Sequence, residues 1–520
     1  MKTPRTLVIG LDGATFDLIR PLAQAGDLPT FSGLMERGTH GPLRAWPDMN
    51  SAAAWSSLVT GCNASQHGIY GSGTVSSGRG GTWRPTTAAD RRKPPFWRLL
   101  SACGQRVGII NVPITYPVDA VNGFMLGGQN TPSVRSAGFA YPSDILDGLR
   151  RHGIDYVIDV PNLSAQSRRA PYRPPQSVQK MVDARSRTIL HLMQARPWEV
   201  LMAVFVATDR VQHYYWPGQN GVVEDASWIP IRHLFQRIDS FLADALALVD
   251  ESTTLLVVSD HGFGHPRPAT DCLNPLFAQL GLLRYRRGAG RLSGRLLTHL
   301  LLQGRRIIPD RLQAPLARAV PGLRLRAIGA HTVSSIQWSQ TQVSASPSGN
   351  YVSINVEGRQ PEGTVPRHDY HHLRERVREI LLNLTDPATG RRVVHAVHRR
   401  EDVYQGPYTD QAGDLLVEWE DDLVADRLRY SAAGAPVIVG PAKTQGSRER
   451  ASGHHRSKGV LIAYGPHIRR GETVHDACLY DIAPTILYLQ GQPIPQDMDG
   501  NVLDALFTPQ HLRDHPVQRA

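Results

Sequence analysis

Three short apolar runs, widely separated in the chain, each lead into an acidic residue. TLVIG leads into Leu11-Asp12-Gly13, LMAVFV into Ala207-Thr208-Asp209, and TLLVVS into Asp260-His261-Gly262. Uninterrupted runs of this length suit strands buried on both faces, the habit of parallel sheets. In an open parallel sheet, ligands gather outside the carboxyl ends of the strands. Acids far apart in sequence can therefore meet at one edge. With Ser51, His213, His261 and His455 they make an oxygen- and nitrogen-rich set suited to divalent metal.

The chain has 520 residues, so two domains or one large domain with an insertion is expected. No window of about 18 apolar residues occurs, and no membrane span is expected. Met1-Lys2-Thr3-Pro4-Arg5 runs straight into TLVIGLDG, too short and too acidic for a signal-peptide core. Cys62, Cys103, Cys272 and Cys478 have no close spacing, as expected of reduced thiols in a cytoplasmic protein. The net charge is +11, and much of it lies in the segment 282–326. There Arg284, Arg286, Arg287, Arg291, Arg295, Arg305, Arg306, Arg311, Arg318, Arg324 and Arg326 face only Asp310. Such a stretch is either a solvated helical face or a peripheral contact for an anionic substrate or membrane surface. Nucleic acid is disfavoured as a partner, because aromatic residues that would stack on bases are nearly absent from it.

Strand-like and helix-like runs alternate through the first 270 or so residues, which argues for a parallel sheet with helices on both faces. Helices are expected at Phe16 to Arg37, Ser177 to Ala195 and Ile231 to Val249, with RVGIINVP as a further strand. After the Arg-rich stretch, the chain from Ile336 reads as β-rich, with a helix at His368 to Leu384 and strands in VVHAVHRRED and DLLVEWEDD. The earlier style returns with GVLIAYGP and a helix at Tyr480 to Leu489. The expected division is a core of residues 1–275 and 441–520 with an inserted α+β cap at 276–440.

Asp209 and His213 stand at i and i+4, which places both on one face if the segment is helical and suits two ligands on one metal. Further elements follow in order. Asn50-Ser51 opens a run ending in Thr60-Gly61, then Gln66-His67-Gly68-Ile69-Tyr70, and much later Gly453-His454-His455-Arg456-Ser457-Lys458-Gly459. Together with Asp12, Asp209, Asp260 and His261, this order resembles the alkaline phosphatase superfamily. Within it, the chain is most similar to type I phosphodiesterase/nucleotide pyrophosphatase-like phosphohydrolases. The resemblance spans nearly the whole chain and reaches the cap through Gln337-Trp338-Ser339, Ile354 to Arg359 and Glu401 to Pro407.

That resemblance implies an alkaline-phosphatase-like three-layer α/β sandwich with a mostly parallel central sheet. It implies Ser51 as nucleophile, and two divalent ions, zinc with manganese as the alternative. Asp12, Asp260, His261 and the Ser51 oxygen would hold one ion; Asp209, His213 and His455 would hold the other. His455 rather than His454 fits the family pattern Gly-x-His-Arg-x-x-Gly. The implied activity is cleavage of small phosphate diesters or monoesters through a phosphoseryl intermediate. A phosphomutase on the same core is an alternative, as is a catalytically silent anion-binding protein. His67 and Cys62 read as structural, and Trp55 stands where a sulfatase motif needs Arg. Arg210, Lys458 and Arg359 are candidates for contact with an anion. Nucleotide pyrophosphatases carry an Asn where this chain has Ser72, which argues against a specific nucleotide reading.

Overall fold

The structure, a computed structural model, describes residues 4–75, 83–160, 163, 167, 172–217, 226–286, 336–346, 348–421, 425–431, 436–440 and 452–520. Among these, nine strands form one sheet: β1 (Arg5–Leu11), β2 (Thr39–Arg44), β3 (Val107–Ile110), β4 (Gly123–Leu126), β5 (Ala140–Tyr141), β6 (Val200–Phe205), β7 (Thr253–Val258), β8 (Lys458–Tyr464) and β9 (Glu472–Thr473). Across the sheet the order is β9-β2-β8-β7-β1-β6-β3-β4-β5. The five strands from β7 to β4 are parallel, with Gly10 of β1 level with Val204 of β6 and Val258 of β7. β8 runs antiparallel to both β7 and β2, and β5 antiparallel to β4.

β1, β6 and β7 are the three runs that lead into acids, and they sit side by side in parallel. Their carboxyl ends therefore open on one edge. They read as unbroken apolar runs because helices cover both faces. Helices Phe16–Gln24, Pro29–Arg37, Gln176–Ala195, Ala207–Tyr215 and Ile229–Ala247 pack with one another as one layer. Helices Ser51–Thr60, Phe96–Ala102 and Ile482–Leu489 make the other. The molecule is thus a three-layer α/β sandwich. Gly10 matters here: a Cβ on it would lie 2.6 Å from the Trp55 ring, so its absence lets the Ser51–Thr60 helix sit close on β1.

Two local expectations need correction. The single helix expected from Phe16 to Arg37 is two, because Gly26 turns the chain at φ +80° and Pro29 opens a new helix. β2, with sequence THGPLR, carries Gly and Pro and gives little strand signal, yet it pairs with β8 along six residues. GVLIAYGP does return to the main sheet, but antiparallel.

A second hydrophobic core begins at Ala269 and gathers residues as far as Val439. It is built on an antiparallel sheet, in the order Val343–Ala345, Tyr351–Ile354, Leu415–Trp419, Val394–Arg399, with helix Tyr370–Leu382 against it. Most of the Arg-rich segment, from Arg287 onward, lies outside the described residues. Among the described residues, no helix is long and apolar enough to cross a membrane.

Candidate metal centre

Each element delivers its side chain for a local reason. After β1 the chain turns at Gly13, φ +68°, and the Gly13 N–H donates to Asp260 Oδ1 at 3.1 Å, tying the ends of β1 and β7 together. After β6 the chain enters helix Ala207–Tyr215, so Asp209 and His213 share a face, with Nε2 3.3 Å from Oδ1. Beyond β7, Gly262–Gly264 pairs antiparallel with His454–Arg456, and His455 stands opposite Phe263. Ser51 is the first residue of helix Ser51–Thr60, which Asn50 caps by accepting the Ala52 N–H at 3.1 Å.

All seven residues converge. His261 Nε2 lies 3.2 Å from Ser51 Oγ, 3.4 Å from Asp260 Oδ2, 3.6 Å from Asp12 Oδ1 and 4.0 Å from Asp209 Oδ1. His455 Nε2 lies 3.1 Å from Asp209 Oδ1 and 3.2 Å from His213 Nε2. The ligating atoms of Asp12, Asp260 and His261 all fall within 4.8 Å of one another, as do those of Asp209, His261 and His455. The His261 ring stands between the two groups, stacked on His455 at 3.6 Å between centroids.

The tautomers follow from the backbone. His213 Nδ1 meets the Gly453 carbonyl at 3.1 Å, His261 Nδ1 the Gly262 carbonyl at 3.0 Å, and His455 Nδ1 the Met49 carbonyl at 3.0 Å. A carbonyl only accepts, so each Nδ1 carries a proton and each ring points its Nε2 inward, where the neutral form offers a lone pair. These Nε2 atoms face carboxylate oxygens, and without a metal only a titratable proton or the Ser51 hydroxyl can mediate those contacts. Asp12 Oδ1 and Asp260 Oδ2 are buried without a donor among the described residues. A cation satisfies all of these atoms at once, so the donor set fits a divalent metal.

The electrostatics agree. Burial, then the neighbouring Asp260 and Asp209, hold the Asp12 carboxyl well above its usual range. Burial pushes Asp260 up to about 8 against the pull of the Gly13 N–H. Burial and His455 press the His261 imidazole well below its usual value. Burial would raise Asp209 too, but His213 and His455 outweigh it and hold it well below the usual range; burial would lower His213 in turn, but Asp209 raises it, so without metal this pair shares a proton that a cation displaces. Packed carboxyls that resist ionisation together are relieved by a bound cation. Arg210 offsets part of the charge, with Nη1 3.3 Å from Asp209 Oδ2 and Nη2 2.9 Å from Asp159 Oδ2.

A sequence profile described as type I phosphodiesterase / nucleotide pyrophosphatase matches residues 6–432. The chain belongs to that family. It is a metal-dependent phosphoric ester hydrolase. The matched span includes every candidate ligand except His455. No curated protein matches the chain. Among solved structures, it is similar to human ectonucleotide pyrophosphatase/phosphodiesterase 5, with 11% identity, TM-score 0.48, and 98% of this chain and 99% of that chain covered. The murine counterpart in complex with AMP gives 12%, 0.49, 98% and 99%. Phosphonoacetate hydrolase from Sinorhizobium meliloti in complex with phosphonoformate gives 14%, 0.48, 94% and 95%.

Around this candidate centre, the other candidates separate. His67 is fully buried; its Nδ1 accepts the Ile69 N–H at 3.1 Å and its Nε2 meets Ser57 Oγ at 2.9 Å. Cys62 is a buried free thiol. His454 turns its Nδ1 to the His455 N–H at 3.0 Å. Arg359 does not serve as a free anion contact: its Nη1 and Nη2 grip the buried Asp414 carboxylate at 2.7 and 2.6 Å. Lys458 is exposed on β8. Ser72 Oγ donates to Asn50 Oδ1 at 3.3 Å, which ties it to the cap of the Ser51 helix. Sequence reasoning missed the carbonyls of Met49, Gly262 and Gly453, because every residue has one. It also missed Trp55, whose Nε1–H donates to Asp12 Oδ2 at 3.3 Å.

Proposed function

We propose that this enzyme is a two-metal phosphohydrolase that cleaves phosphate diesters or monoesters through a phosphoseryl intermediate on Ser51. In this reading Asp12, Asp260, His261 and the Ser51 hydroxyl hold one divalent cation, and Asp209, His213 and His455 hold the other. The observation that carries it is the convergence of three imidazole Nε2 atoms and two buried, donorless carboxylate oxygens beside Ser51 Oγ. When bound, such cations supply the positive charge that phosphoryl transfer needs and make a coordinated serine hydroxyl more acidic. Imidazole and carboxylate donors favour zinc, with manganese as the alternative.

The chain's own residues do the rest. Ser51 loses its proton and its Oγ attacks phosphorus, the P–O bond to the ester's alcohol breaks and the alcohol leaves with a proton; water then attacks the same phosphorus, breaking the Ser51 Oγ–P bond and returning the hydroxyl to Ser51. Ser51 opens a helix, whose positive end favours the anionic phosphoryl group there. Residues 276–440 act as the cap that selects the substrate, on a core of residues 1–275 and 441–520; the separate hydrophobic core supports such a unit. With Ser72 where nucleotide pyrophosphatases have Asn, the substrate class is drawn as phosphate esters rather than nucleotides. Four free cysteines support a reducing, cytoplasmic setting.

The test is a screen of chromogenic mono- and diesters with zinc and manganese, followed by Ser51→Ala and Asp209→Asn. Ser51→Ala should abolish turnover and leave the metal bound, and acid quench of the wild type should trap phosphate on Ser51. Full turnover by Ser51→Ala would remove Ser51 as nucleophile. Asp209→Asn should lower metal content by elemental analysis; an unchanged content would remove Asp209 as a ligand. Heavy oxygen from water appearing in the released phosphate separates hydrolysis from transfer back to substrate.

A further inference from the structure

Asp48 is an acid that the chemistry above does not use. It is 1% exposed and lies three residues before Ser51, yet its hydrogen-bond partners are all neutral. Its Oδ1 accepts the Tyr404 hydroxyl at 2.7 Å. Its Oδ2 accepts the Ser57 hydroxyl and the Ala64 N–H, both at 3.3 Å. Donor and acceptor roles along this chain are fixed. The Ile69 N–H donates to His67 Nδ1, so His67 Nε2 carries the proton and donates to Ser57 Oγ, and Ser57 in turn donates to Asp48. Burial pushes the Asp48 carboxyl up to about 6, so at neutral pH its charge is kept at a cost to the fold. Groups held at such a cost cluster at functional sites.

The two ends of this network belong to different units. Ser57 lies on the helix that Ser51 opens. Tyr404 is 1% exposed and belongs to the inserted region, where it clusters with Ala64, Ala412 and Leu416. The surrounding contacts dock the same two pieces. The Gly406 N–H donates to Ser65 Oγ and the Tyr408 N–H to the Ser65 carbonyl, each at 2.9 Å, and the Trp46 ring leans on His398 at 4.7 Å. The segment between the units is short, and five of the six residues from Trp46 to Ser51 are committed. Trp46 touches the insert, Asp48 takes Tyr404, the Met49 carbonyl orients His455, Asn50 caps the helix, and Ser51 carries the hydroxyl.

We infer that Asp48 and Tyr404 are positioning residues, through which the docked cap sets the placement of Ser51 and of His455. The inference rests on the reading of Ser51 as nucleophile. Neither residue touches the reacting atoms; both act through the backbone of residues 48–51. A shift of a few tenths of an ångström there moves the attacking oxygen and one imidazole together, which is how a remote change lowers the rate of a chemical step without weakening substrate binding.

The test uses the full chain, with bis(4-nitrophenyl) phosphate at saturating zinc. Tyr404→Phe removes one hydroxyl and keeps the ring. It should lower kcat on the order of ten- to a hundredfold with KM unchanged. It should also weaken zinc binding, read by chelator competition, by about tenfold, the usual effect of losing a group that orients a ligand. The double variant Tyr404→Phe/Asp48→Asn should lose no more than the worse single variant, because both break one contact. Tyr70→Phe is the control: its hydroxyl donates to the Tyr408 carbonyl at 2.9 Å and docks the insert without touching Asp48, so it should lower thermal stability and leave kcat alone. Wild-type kcat in folded Tyr404→Phe overturns the inference, and so does an equal loss in Tyr70→Phe. Asp48→Asn carries the same test should Tyr404→Phe not fold. Ser51→Ala separates the two levels: turnover in that variant refutes the nucleophile, whatever Tyr404 does.

Discussion

Loading the metal-free protein with zinc should expel protons. Two of the proposed ligands hold their carboxyls above the ordinary range: burial and then Asp260 and Asp209 raise Asp12, and burial pushes Asp260 up to about 8. A carboxyl one unit above the ambient pH is protonated about nine times in ten. At pH 7 Asp260 therefore carries a proton before metal arrives, and Asp12 adds a share. His261, pressed low by burial and His455, is already neutral and contributes none. Only deprotonated ligands hold a cation, so binding at pH 7 should release about one proton from Asp260, and Asp12 and His213, both raised, add to it. The sign follows: apparent affinity rises with pH, about tenfold per unit for each proton expelled, and levels off once Asp260 has titrated. The assay is titration calorimetry in two buffers of unlike protonation enthalpy, at pH 7 and pH 8.5. Identical heats in the two buffers at pH 7, with an affinity that does not change between pH 6 and 8, would refute the argument that burial and then mutual proximity keep these carboxyls protonated.

Three further outcomes follow from single contacts. Trp55→Phe removes the donor to Asp12 Oδ2 and should weaken zinc binding by about tenfold in a chelator competition, while a value within twofold of wild type would make Trp55 a packing residue only. Arg359→Met removes the two-pronged contact to the buried Asp414 carboxylate, which keeps the Ile354 N–H, the Tyr370 hydroxyl and Arg400 at 3.6 Å, and should cost about 1–3 kcal/mol in urea unfolding, with kcat and KM intact; a raised KM for phosphate esters would return Arg359 to the substrate. Burial lowers His67 from 6.5 to about 3, so the unfolded chain binds the proton more readily and this contribution to stability, full above pH 6.5, is lost as pH falls toward 3, by about 1.4 kcal/mol per unit. Unfolding between pH 5 and 7 should therefore be less pH-dependent in His67→Gln than in wild type, and equal slopes would contradict it.

What could be read beforehand depended on whether the physics is local. β1, β6 and β7 announce themselves because burial on both faces leaves no charged residue after Arg5 in any of the three, and the acid marks where the run ends. β2 does not: THGPLR sits between two partners near the sheet margin, and Gly41 is there for close approach, since a Cβ on it would meet the Val474 carbonyl at 1.8 Å. The direction of β8 was equally hidden, because an apolar run looks the same parallel or antiparallel. Asp209 and His213 are legible as a pair through helical spacing, whereas His455 is legible only through the family's pattern of glycines around it. Arg359 misled for the opposite reason: its partner, Asp414, lies 55 residues away, and a guanidinium without a visible partner looks available.

The residues that could not be read are those that connect the two halves of the molecule. His213 and His455 take their orientation from the Gly453 and Met49 carbonyls, and these belong to segments that also meet the second helix layer and the insert. The Ser452 N–H donates to the His213 carbonyl at 2.7 Å, and Ser452 Oγ accepts the Trp216 N–H at 2.8 Å, so the ribbon that presents His455 is fastened directly to the helix that presents Asp209 and His213. A loop so fastened can hold an imidazole lone pair within the tolerance a metal requires, which a free surface loop cannot. A separate contact, Tyr404 on Asp48, is the route by which, on the inference above, a change on the insert's inner face reaches the proposed ligands through the backbone of residues 48–51 rather than through the substrate. Strand ends thus decide which atoms are present at the edge of the sheet. The loops between the units decide whether those atoms point at one another.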